Sequence, residues 1–406
     1  MIQELTLDFL DRPLSEVDPE VAEQLERSLP ALAATQQLAV DRARRLFGSE
    51  SANLTPHSAT QANAAVYHAL LEPGDTILAL DPAHGGRITP NPPVDVSDHH
   101  YDVVTYHVDR DTSRVDMDEV ERIALMRRPR LILAGWSAYP RTLDFACFRA
   151  IADAAGAYLL VDMSHFAGLV AAGLHANPVP YADVVTSTIH QTVGGTRGGM
   201  ILSTERLAPR IGAQVHPGPV PLAHVMAGKA VSLGIAASEE HRERQERALA
   251  GARALASRLL GVGGGASVLT GGTDVHLVLC DLRESVVDGI GAEARLASIG
   301  IIVSRLPMPF DPRPHAVASG LRIGTQTLAC RGLQLEDFDE LGAIVANALD
   351  PYGFADRRAA LADRAAAIAE RYPLRAAASA PAPAGTRGVV LKFPRSPLPP
   401  AAAAAS

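Results

Sequence analysis

Two groups of polar residues follow short apolar runs, and their side chains are of the types that bind cofactors and transfer protons. The run LLV is followed by Asp162 and then His165, and the run VVTS is followed by Thr188, His190 and Gln191. Imidazole titrates near neutral pH, so the two histidines are the first candidates for proton transfer. A carboxylate at the end of a strand is as often a structural hydrogen-bond partner as a functional group, and the residues alone leave both roles open for Asp162.

A phosphate-binding cradle is the second candidate feature. Ser58 and Ala59 lie at the start of a predicted helix, where backbone N–H groups and a hydroxyl can hold a phosphate. The alternative is that Ser58 only caps the helix. Lysine, the usual amine nucleophile, occurs only as Lys229 and Lys392, so nearly all the positive charge is arginine.

Other motifs do not support a different chemistry. The pair His99–His100 lies on one short polar loop, where adjacent residues seldom converge on a metal, so we predict no metal site. The run GVGGG at 261–265 follows a predicted helix, which reverses the order of a dinucleotide-binding turn. Neither a P-loop motif nor a GxSxG motif occurs, which argues against a P-loop NTPase and a standard α/β-hydrolase.

Composition excludes several classes of protein. The 406 residues include 37 lysines and arginines against 45 acidic residues, and the formal charge of -8 gives no attraction to nucleic acid or anionic lipid. Three scattered cysteines without CxxC spacing argue against a disulfide framework and fit a reducing compartment. No stretch reaches the roughly 20 apolar residues that span a bilayer. We therefore expect a cytoplasmic protein without a membrane or nucleic-acid partner.

The elements that must position the polar groups alternate between strand and helix along the middle of the chain. This alternation is typical of βαβ units and a mostly parallel sheet, and it predicts an α/β fold. Functional groups of such a sheet collect at the carboxyl ends of its strands. The strands are predicted at 76–80, 131–134, 158–161 and 183–187, and the helices at 60–71 and 145–155.

The predicted domain organisation has five parts. A helical stretch from about 222 to 260 leads from the large domain to the small one, where we expect strands at 276–282 and 301–304 and a helix at 336–349. The last part is rich in alanine and proline and cannot bury enough surface to fold alone. The parts are an N-terminal helical segment (1–40), a large α/β domain (41–225), a connecting helix (226–260), a small C-terminal α/β domain (261–372) and a tail (373–406).

Four longer segments form a recognisable series: PHSATQANAAVYHALLEPGDTILALDPAHGG at 56–86, AGWSAYPRTLDF at 134–145, LLVDMSHFAGLVAAGLHANPVPYADVVTSTIHQTVGGTRGGMIL at 159–202 and PFDPRPHAVASGLRIGT at 309–325. Together they resemble the serine hydroxymethyltransferase family, in order and spacing. The resemblance implies the fold-type-I architecture of pyridoxal-phosphate enzymes. That architecture has a large domain with a wound, mainly parallel sheet, a smaller C-terminal α/β domain, and a homodimer with shared sites.

The resemblance implies roles for several residues. It gives Asp162 the pairing with the pyridine nitrogen, His165 a place beside it, and Ser58 with Ala59 the contacts to the cofactor phosphate. Arg322 matches the arginine that binds the carboxylate of an amino-acid substrate by a two-pronged contact. Further positions that match the lining of the pocket are Ser137, Thr188 and His190.

A folate site is also implied by the resemblance. One loop corresponds to the segment that holds the pterin of tetrahydrofolate in the family, which predicts a tetrahydrofolate derivative as cofactor. Pro82 and Phe310 replace two further folate-contacting positions, and the family's glutamate falls in a segment that this chain lacks. The loop residues are His84, Gly85, Gly86 and Ile88.

The chain departs from the family at the position of the reactive amine. The family motif Thr-His-Lys carries the Schiff-base lysine, whereas Gln191 follows His190 here, and glutamine cannot form an imine. Neither lysine replaces it, because Lys229 lies in a predicted helix and Lys392 in the tail. We expect pyridoxal phosphate to bind non-covalently if it binds at all.

Three further departures affect the same pocket. Arg87 takes the place of the histidine that stacks on the pyridine ring in the family. Several tens of family residues are missing near 29–38, and the glycine pair of the phosphate loop is lost within 216–224. These losses suggest that the pyridoxal chemistry has been dismantled.

Three functions are open at this point. The first is a tetrahydrofolate-linked transferase of specialised metabolism that moves a hydroxymethyl or methylene unit without covalent pyridoxal phosphate. Its protons would pass through His165 and His190, an anionic acceptor would be held by Arg322 and Arg87, and Gln191 would orient that acceptor. The second is a lysine-free enzyme that uses non-covalent pyridoxal or pyridoxamine phosphate on an amino acid. The third is a non-catalytic binding homologue.

Overall fold

Seven strands form the main sheet of the protein. In this computed structural model, residues 14–26, 30–86, 101–215, 222–261 and 265–373 are described, and they belong to one compact unit that ends at Pro373. The strands are β1 Ser51–Asn53, β2 Thr76–Leu80, β3 Asp102–Tyr106, β4 Leu131–Gly135, β5 Tyr158–Asp162, β6 Val184–Thr188 and β7 Gly199–Ser203.

The sheet is mostly parallel, as the alternating pattern predicts. Its strand order is β1-β7-β6-β5-β4-β2-β3, and the five strands from β6 to β3 are parallel to one another. β7 is antiparallel to β6 and to β1. Gly135 pairs with Asp162, and Asp162 with Thr186, so the carboxyl ends of β4, β5 and β6 meet at one edge.

A second sheet of four strands follows. Its order is β10-β11-β9-β8, and every neighbouring pair is antiparallel. One hydrophobic cluster covers this sheet and includes residues of the last helices. The strands are β8 Ser267–Val268, β9 Leu277–Asp281, β10 Ser304–Leu306 and β11 Gly320–Gly324.

Fourteen α-helices lie within the described residues. The predicted helix 145–155 is found at those bounds, because Asp144 caps its first turn and Gly156 ends it in the left-handed conformation with φ 73°. The helices are α1 Leu14–Val17, α2 Pro19–Glu26, α3 Pro30–Phe47, α4 Ala59–Leu70, α5 Met117–Arg127, α6 Phe145–Ala155, α7 Ala167–Ala171, α8 Ala208–Val215, α9 Ala223–Ala236, α10 Glu239–Leu260, α11 Gly289–Ala297, α12 Gln326–Arg331, α13 Leu335–Leu349 and α14 Phe354–Arg371.

The main sheet is buried on both faces. Along β2, Ile77 and Ala79 pack in one hydrophobic cluster, and Leu78 and Leu80 pack in another. Successive side chains of a strand point to opposite faces, so a strand covered on both sides needs a continuous apolar run. This requirement explains why the runs in the sequence do not alternate with polar residues.

Several predicted boundaries need correction. The helical stretch from 222 to 260 is two helices, α9 and α10, because Ser238 adopts an extended conformation and caps α10 through the N–H of His241. The strand predicted at 301–304 begins only at Ser304, and Ile302 is 84% exposed just before it. The domain boundaries given above remain predictions.

Candidate active site

Asp162 is the last residue of β5, and the groups that donate hydrogen bonds to it are uncharged. Its buried carboxylate accepts hydrogen bonds from the Asn63 amide at 3.0 Å and from the N–H and hydroxyl of Ser164 at 2.9 and 2.5 Å. Asn63 is oriented in turn by the Thr186 hydroxyl, 2.5 Å from its side-chain oxygen. Our sequence analysis missed Asn63, although a polar residue on the buried face of α4 is a signal that could have found it.

His165 and Arg322 meet although they lie 157 residues apart in the chain. Nη2 of Arg322, on β11, donates to Nδ1 of His165 at 3.3 Å. The His165 ring stacks on Trp136, which follows β4, with centroids 5.8 Å apart. The second sheet therefore contributes a guanidinium to the strand-end edge of the first.

Arg322 retains capacity for an anionic ligand. Its Nε atom is buried without a hydrogen-bond partner among the described residues, and burial lowers the pKa of its guanidinium. The nearby histidine His276 is buried, and burial together with the charge of Arg322 lowers its pKa to about 3. A neutral neighbour of this kind does not neutralise the arginine, so a ligand carboxylate can do so.

The loop after β6 presents the polar residues that the sequence predicts there. Ile189 and Val193 are buried and anchor the loop, whereas His190 and Gln191 are only partly buried. The Thr188 hydroxyl donates to Oε1 of Gln191 at 3.1 Å.

The environment of His190 favours its neutral form. The Gly198 N–H donates to Nδ1 of His190 at 3.4 Å. Burial, followed by the charge of Arg197, lowers the pKa of His190. A neutral imidazole is the form that can accept a proton near pH 7.

Ser58 is the N-cap of α4, which is the simpler of the two roles that the sequence predicts for it. Its backbone is extended, with φ -157° and ψ 165°, and its Oγ accepts from the Gln61 N–H at 3.1 Å. The His57 N–H donates back to the Gln61 side chain at 2.7 Å. Ala59, the first residue of α4, is buried. The phosphate role of Ser58 and Ala59 remains a prediction.

Lys229 lies beneath this helix start and is almost completely buried. Its Nζ donates to the backbone carbonyls of Leu54, Pro56 and Gly199 at distances between 2.5 and 3.1 Å. Burial lowers the pKa of Lys229 to about 8. The amine therefore holds the loop after β1 to the start of β7.

The loop at 81–86 forms one wall of a cavity of about 560 Å³. Gly85 has φ 90°, and a Cβ on Gly86 would lie 1.9 Å from the Leu80 carbonyl oxygen, so both positions require glycine. Other lining residues include Pro82, His84, Ser137, Leu306 and Met308.

Two of the predicted residues stabilise this wall. The Ser137 N–H donates to the Gly85 carbonyl at 2.9 Å, and its hydroxyl lies 3.3 Å from the Gly86 carbonyl oxygen. His84 is buried, and its Nδ1 accepts from the Val108 N–H at 3.2 Å. The His84 ring packs against Phe310 with centroids 4.5 Å apart, which connects the loop to the segment after β10.

Some predicted positions lie outside the described residues. These are Arg87 and Ile88, the pair His99–His100, residues 216–221 of the altered phosphate loop, most of the GVGGG run and Lys392. In the part of the chain that is described, no three histidine, cysteine or acidic side chains are grouped so that they could hold a metal ion. Over the same ranges, no helix is long and apolar enough to cross a membrane.

The sheet order, the strand-end site and the second antiparallel sheet define an α/β protein consistent with the fold-type-I architecture of pyridoxal-phosphate enzymes. A family model described as "Serine hydroxymethyltransferase" matches residues 31–345. The chain belongs to the serine hydroxymethyltransferase family, a family of one-carbon transferases that use pyridoxal phosphate and tetrahydrofolate.

Curated relatives agree with this assignment. A serine hydroxymethyltransferase of Kineococcus radiotolerans is 49% identical over 396 residues, covering 85% of this chain and 91% of that protein. The serine hydroxymethyltransferase of Nocardia farcinica is 56% identical over 319 residues, covering 77% of this chain and 74% of that protein. The one from Corynebacterium glutamicum (strain R) is 55% identical over 319 residues, with the same coverage.

Proposed function

We propose that the protein transfers a hydroxymethyl or methylene unit between a tetrahydrofolate carrier and a small anionic acceptor, without covalently bound pyridoxal phosphate. The observation that carries this proposal is the loop after β6, where the residue hydrogen-bonded to Thr188 is Gln191. A carboxamide has no amine that could form an imine. Lys229, the one lysine among the described residues, keeps its Nζ within a cage of three backbone carbonyls.

The described residues do not fit covalent attachment of pyridoxal phosphate. In such enzymes the cofactor stabilises a carbanion of the substrate. Without it, the acceptor has to supply its own nucleophilic carbon or heteroatom, and the protein has to bind, orient and deprotonate that acceptor.

The cavity beside Gly85 and Gly86 supports a folate carrier. Its volume of about 560 Å³ lies within the usual range for small-molecule sites. Its lining combines polar residues such as His84 and Ser137 with apolar side chains such as Leu306 and Met308. A flat heteroaromatic ring with a polar edge matches this mixed lining.

The strand-end residues support the transfer chemistry. Arg322 offers a partly buried guanidinium with a buried Nε atom for an anionic acceptor, and the partly buried His190, whose pKa is lowered by burial, is available for proton transfer. His165 holds the Arg322 guanidinium, and Asp162 holds Asn63 and Ser164. We assign Arg322 to binding, His190 and His165 to proton movement, and Asp162 to positioning.

A transfer assay tests the proposal. Purified protein, stripped of pyridoxal phosphate, is incubated with methylene-tetrahydrofolate and candidate anionic acceptors, and release of tetrahydrofolate is followed. We expect saturable folate binding and turnover that does not respond to added pyridoxal phosphate. Turnover that appears only after pyridoxal phosphate is added would contradict the proposal.

A second candidate function is a lysine-free enzyme that holds pyridoxal or pyridoxamine phosphate without a covalent bond. It is favoured by the buried Asp162 carboxylate at the end of β5, whose hydrogen bonds all come from neutral groups. Saturable pyridoxal phosphate binding that is lost in Asp162→Asn, together with dependence of turnover on the cofactor, would support it. The homodimer and the cytoplasmic location stay predictions, and sedimentation of the purified protein tests the first.

A further inference from the structure

The Gln191 amide has a defined orientation. The Thr188 hydroxyl donates to Oε1 at 3.1 Å, so the carbonyl end of the amide is engaged with the protein. The Nε2 end carries two N–H donors. Because Gln191 is only partly buried, a ligand at the strand-end edge can meet these donors.

Neighbouring groups also offer donors to a ligand at this edge. Nδ1 is the acceptor nitrogen of the neutral His190 ring, and its contact with the Gly198 N–H is long, at 3.4 Å. The Asp162 oxygens already accept three hydrogen bonds from Asn63 and Ser164. Arg322 adds a guanidinium, which has donors only. The site is therefore rich in donors and complements a ligand that carries several acceptor oxygens.

We propose that the acceptor substrate is a 2-oxo acid with a hydrogen on C3, with its carboxylate on Arg322 and its 2-oxo oxygen on the Gln191 amide. This inference rests on the proposed one-carbon transfer and names the substrate class of that same site. A 2-amino acid would direct an ammonium group, which has donors only, toward a protein group that also donates. The 2-oxo acid presents an acceptor at that position.

A 2-oxo acid can lose a C3 proton without forming an imine, because its own carbonyl group stabilises the resulting carbanion. Removal of a C3 proton gives an enolate whose negative oxygen is stabilised by the Gln191 N–H donors. The C3 proton goes to Nδ1 of His190, which gives up its long contact with the Gly198 N–H when it is protonated.

The overall step is balanced. The enolate C3 forms a bond to the methylene carbon, and the two methylene C–N bonds of the folate break. One water supplies the hydroxyl group to the methylene carbon, its other proton goes to one folate nitrogen, and the C3 proton goes to the second folate nitrogen. The products are tetrahydrofolate and the 3-hydroxymethyl-2-oxo acid, with no net oxidation or reduction.

Two probes with the same carbon skeleton test the proposal. 2-Oxobutyrate and L-2-aminobutyrate share the carboxylate and differ at C2, so Arg322 can bind both and Gln191 distinguishes them. Titration calorimetry is expected to give at least about tenfold tighter binding of 2-oxobutyrate. Equal or tighter binding of L-2-aminobutyrate, or no binding of 2-oxobutyrate, would overturn the proposal.

Enolate formation is measured without folate. In D2O, NMR is expected to report enzyme-dependent deuterium incorporation at C3 of 2-oxobutyrate. The isosteric change Gln191→Glu removes the donors, and we expect it to slow this exchange by about 10²-fold. Exchange in Gln191→Glu as fast as in the unmodified protein would contradict the assigned role of the amide.

Control variants separate this role from a general loss of structure. Gln37→Glu makes the same chemical change on the exposed side of α3, and exchange is expected to be unaffected. Thr188→Val removes the hydroxyl that orients Gln191, whereas Thr188→Ser keeps it, so Thr188→Ser should lose less exchange activity. Thermal unfolding of each variant identifies a folding defect, and Gln191→Leu repeats the test if Gln191→Glu fails to fold.

The outcomes also separate this proposal from the proposed function. Exchange at C3 without any transfer from methylene-tetrahydrofolate would contradict the one-carbon transfer and leave the substrate class supported. Transfer of the one-carbon unit to L-2-aminobutyrate but not to 2-oxobutyrate would overturn the substrate class and leave the one-carbon transfer standing.

Discussion

The loop after β6 and the loop at 81–86 both carry candidate site residues, and they differ in how they relate to the family. The first has a glutamine bonded to Thr188, where the family resemblance leads us to expect a reactive lysine. The second keeps two glycines whose replacement would bring a Cβ within about 2 Å of a backbone carbonyl. The difference is that a side-chain hydrogen bond orients Gln191 in the first loop, whereas close backbone packing restricts the second loop to glycine.

The largest effect is expected at Arg322, the proposed anion-binding residue on β11. Arg322→Met should weaken 2-oxobutyrate binding by about 10²- to 10³-fold, since truncating a buried charged partner costs 2–5 kcal/mol. Arg253→Met, at an exposed position of α10, is the matched control and should bind normally. Calorimetric titration measures the affinity of both variants. Unchanged affinity in Arg322→Met would contradict the anion-binding role of Arg322.

Lys229 tests whether the lysine in the described part of the chain is structural. Lys229→Met leaves three buried carbonyls without their donor, and each unsatisfied group costs about 1–3 kcal/mol, so we expect a loss of about 3 kcal/mol in the free energy of unfolding. Met226→Leu, a volume-conserving change at a buried position of the same helix, should cost less than about 1.5 kcal/mol. Urea denaturation compares them, and equal stability of the two variants would contradict the structural role.

Lys229 also predicts a pH dependence of stability. Its folded pKa of about 8 lies below the usual value for lysine, so the unfolded chain binds more protons between these two pKa values. Stability contributed by this group therefore rises as pH increases above about 8, by at most about 1.4 kcal/mol per pH unit. The stability gap between the unmodified protein and Lys229→Met should widen accordingly from about pH 8 to pH 10 in urea titrations, and a constant gap would be inconsistent with the lowered pKa.

A smaller effect, confined to folate affinity, is expected at the loop at 81–86. Gly86→Ala would place a Cβ 1.9 Å from the Leu80 carbonyl oxygen, so the loop must shift, and we expect about tenfold weaker tetrahydrofolate binding. Gly212→Ala, in α8, meets nothing within 4 Å and should bind folate normally. Fluorescence titration measures the affinity. Loss of 2-oxobutyrate binding in Gly86→Ala would mean that the two regions are not independent.

Local patterns predicted much of the main sheet, because strands buried on both faces leave continuous apolar runs. The run at 76–80 and the helix at 145–155 have the predicted bounds. The strand predicted at 301–304 was misplaced because an apolar, β-branched run also occurs where a helix ends, and the exposed Ile302 lies in that connection. Such a run does not reveal which of its residues find a pairing partner.

The residues of the site could be predicted only from the family resemblance or from their position at the end of a predicted strand. The positions of Asp162, Thr188 and Gln191 follow from strands that end in polar residues. The bond between Asn63 and Asp162 joins residues 99 positions apart, and no local pattern reports it. The carbonyl cage of Lys229 consists of backbone atoms, whose direction is set by tertiary packing and leaves no mark in the sequence.

The central claim is that the protein works without a lysine-bound cofactor. The most direct measurement is incubation with pyridoxal phosphate, reduction with borohydride, and mass spectrometry of the peptides. We predict no pyridoxyl group on Lys229 or Lys392, together with retained one-carbon transfer. A stoichiometric pyridoxyl-lysine whose formation tracks activity would contradict the account.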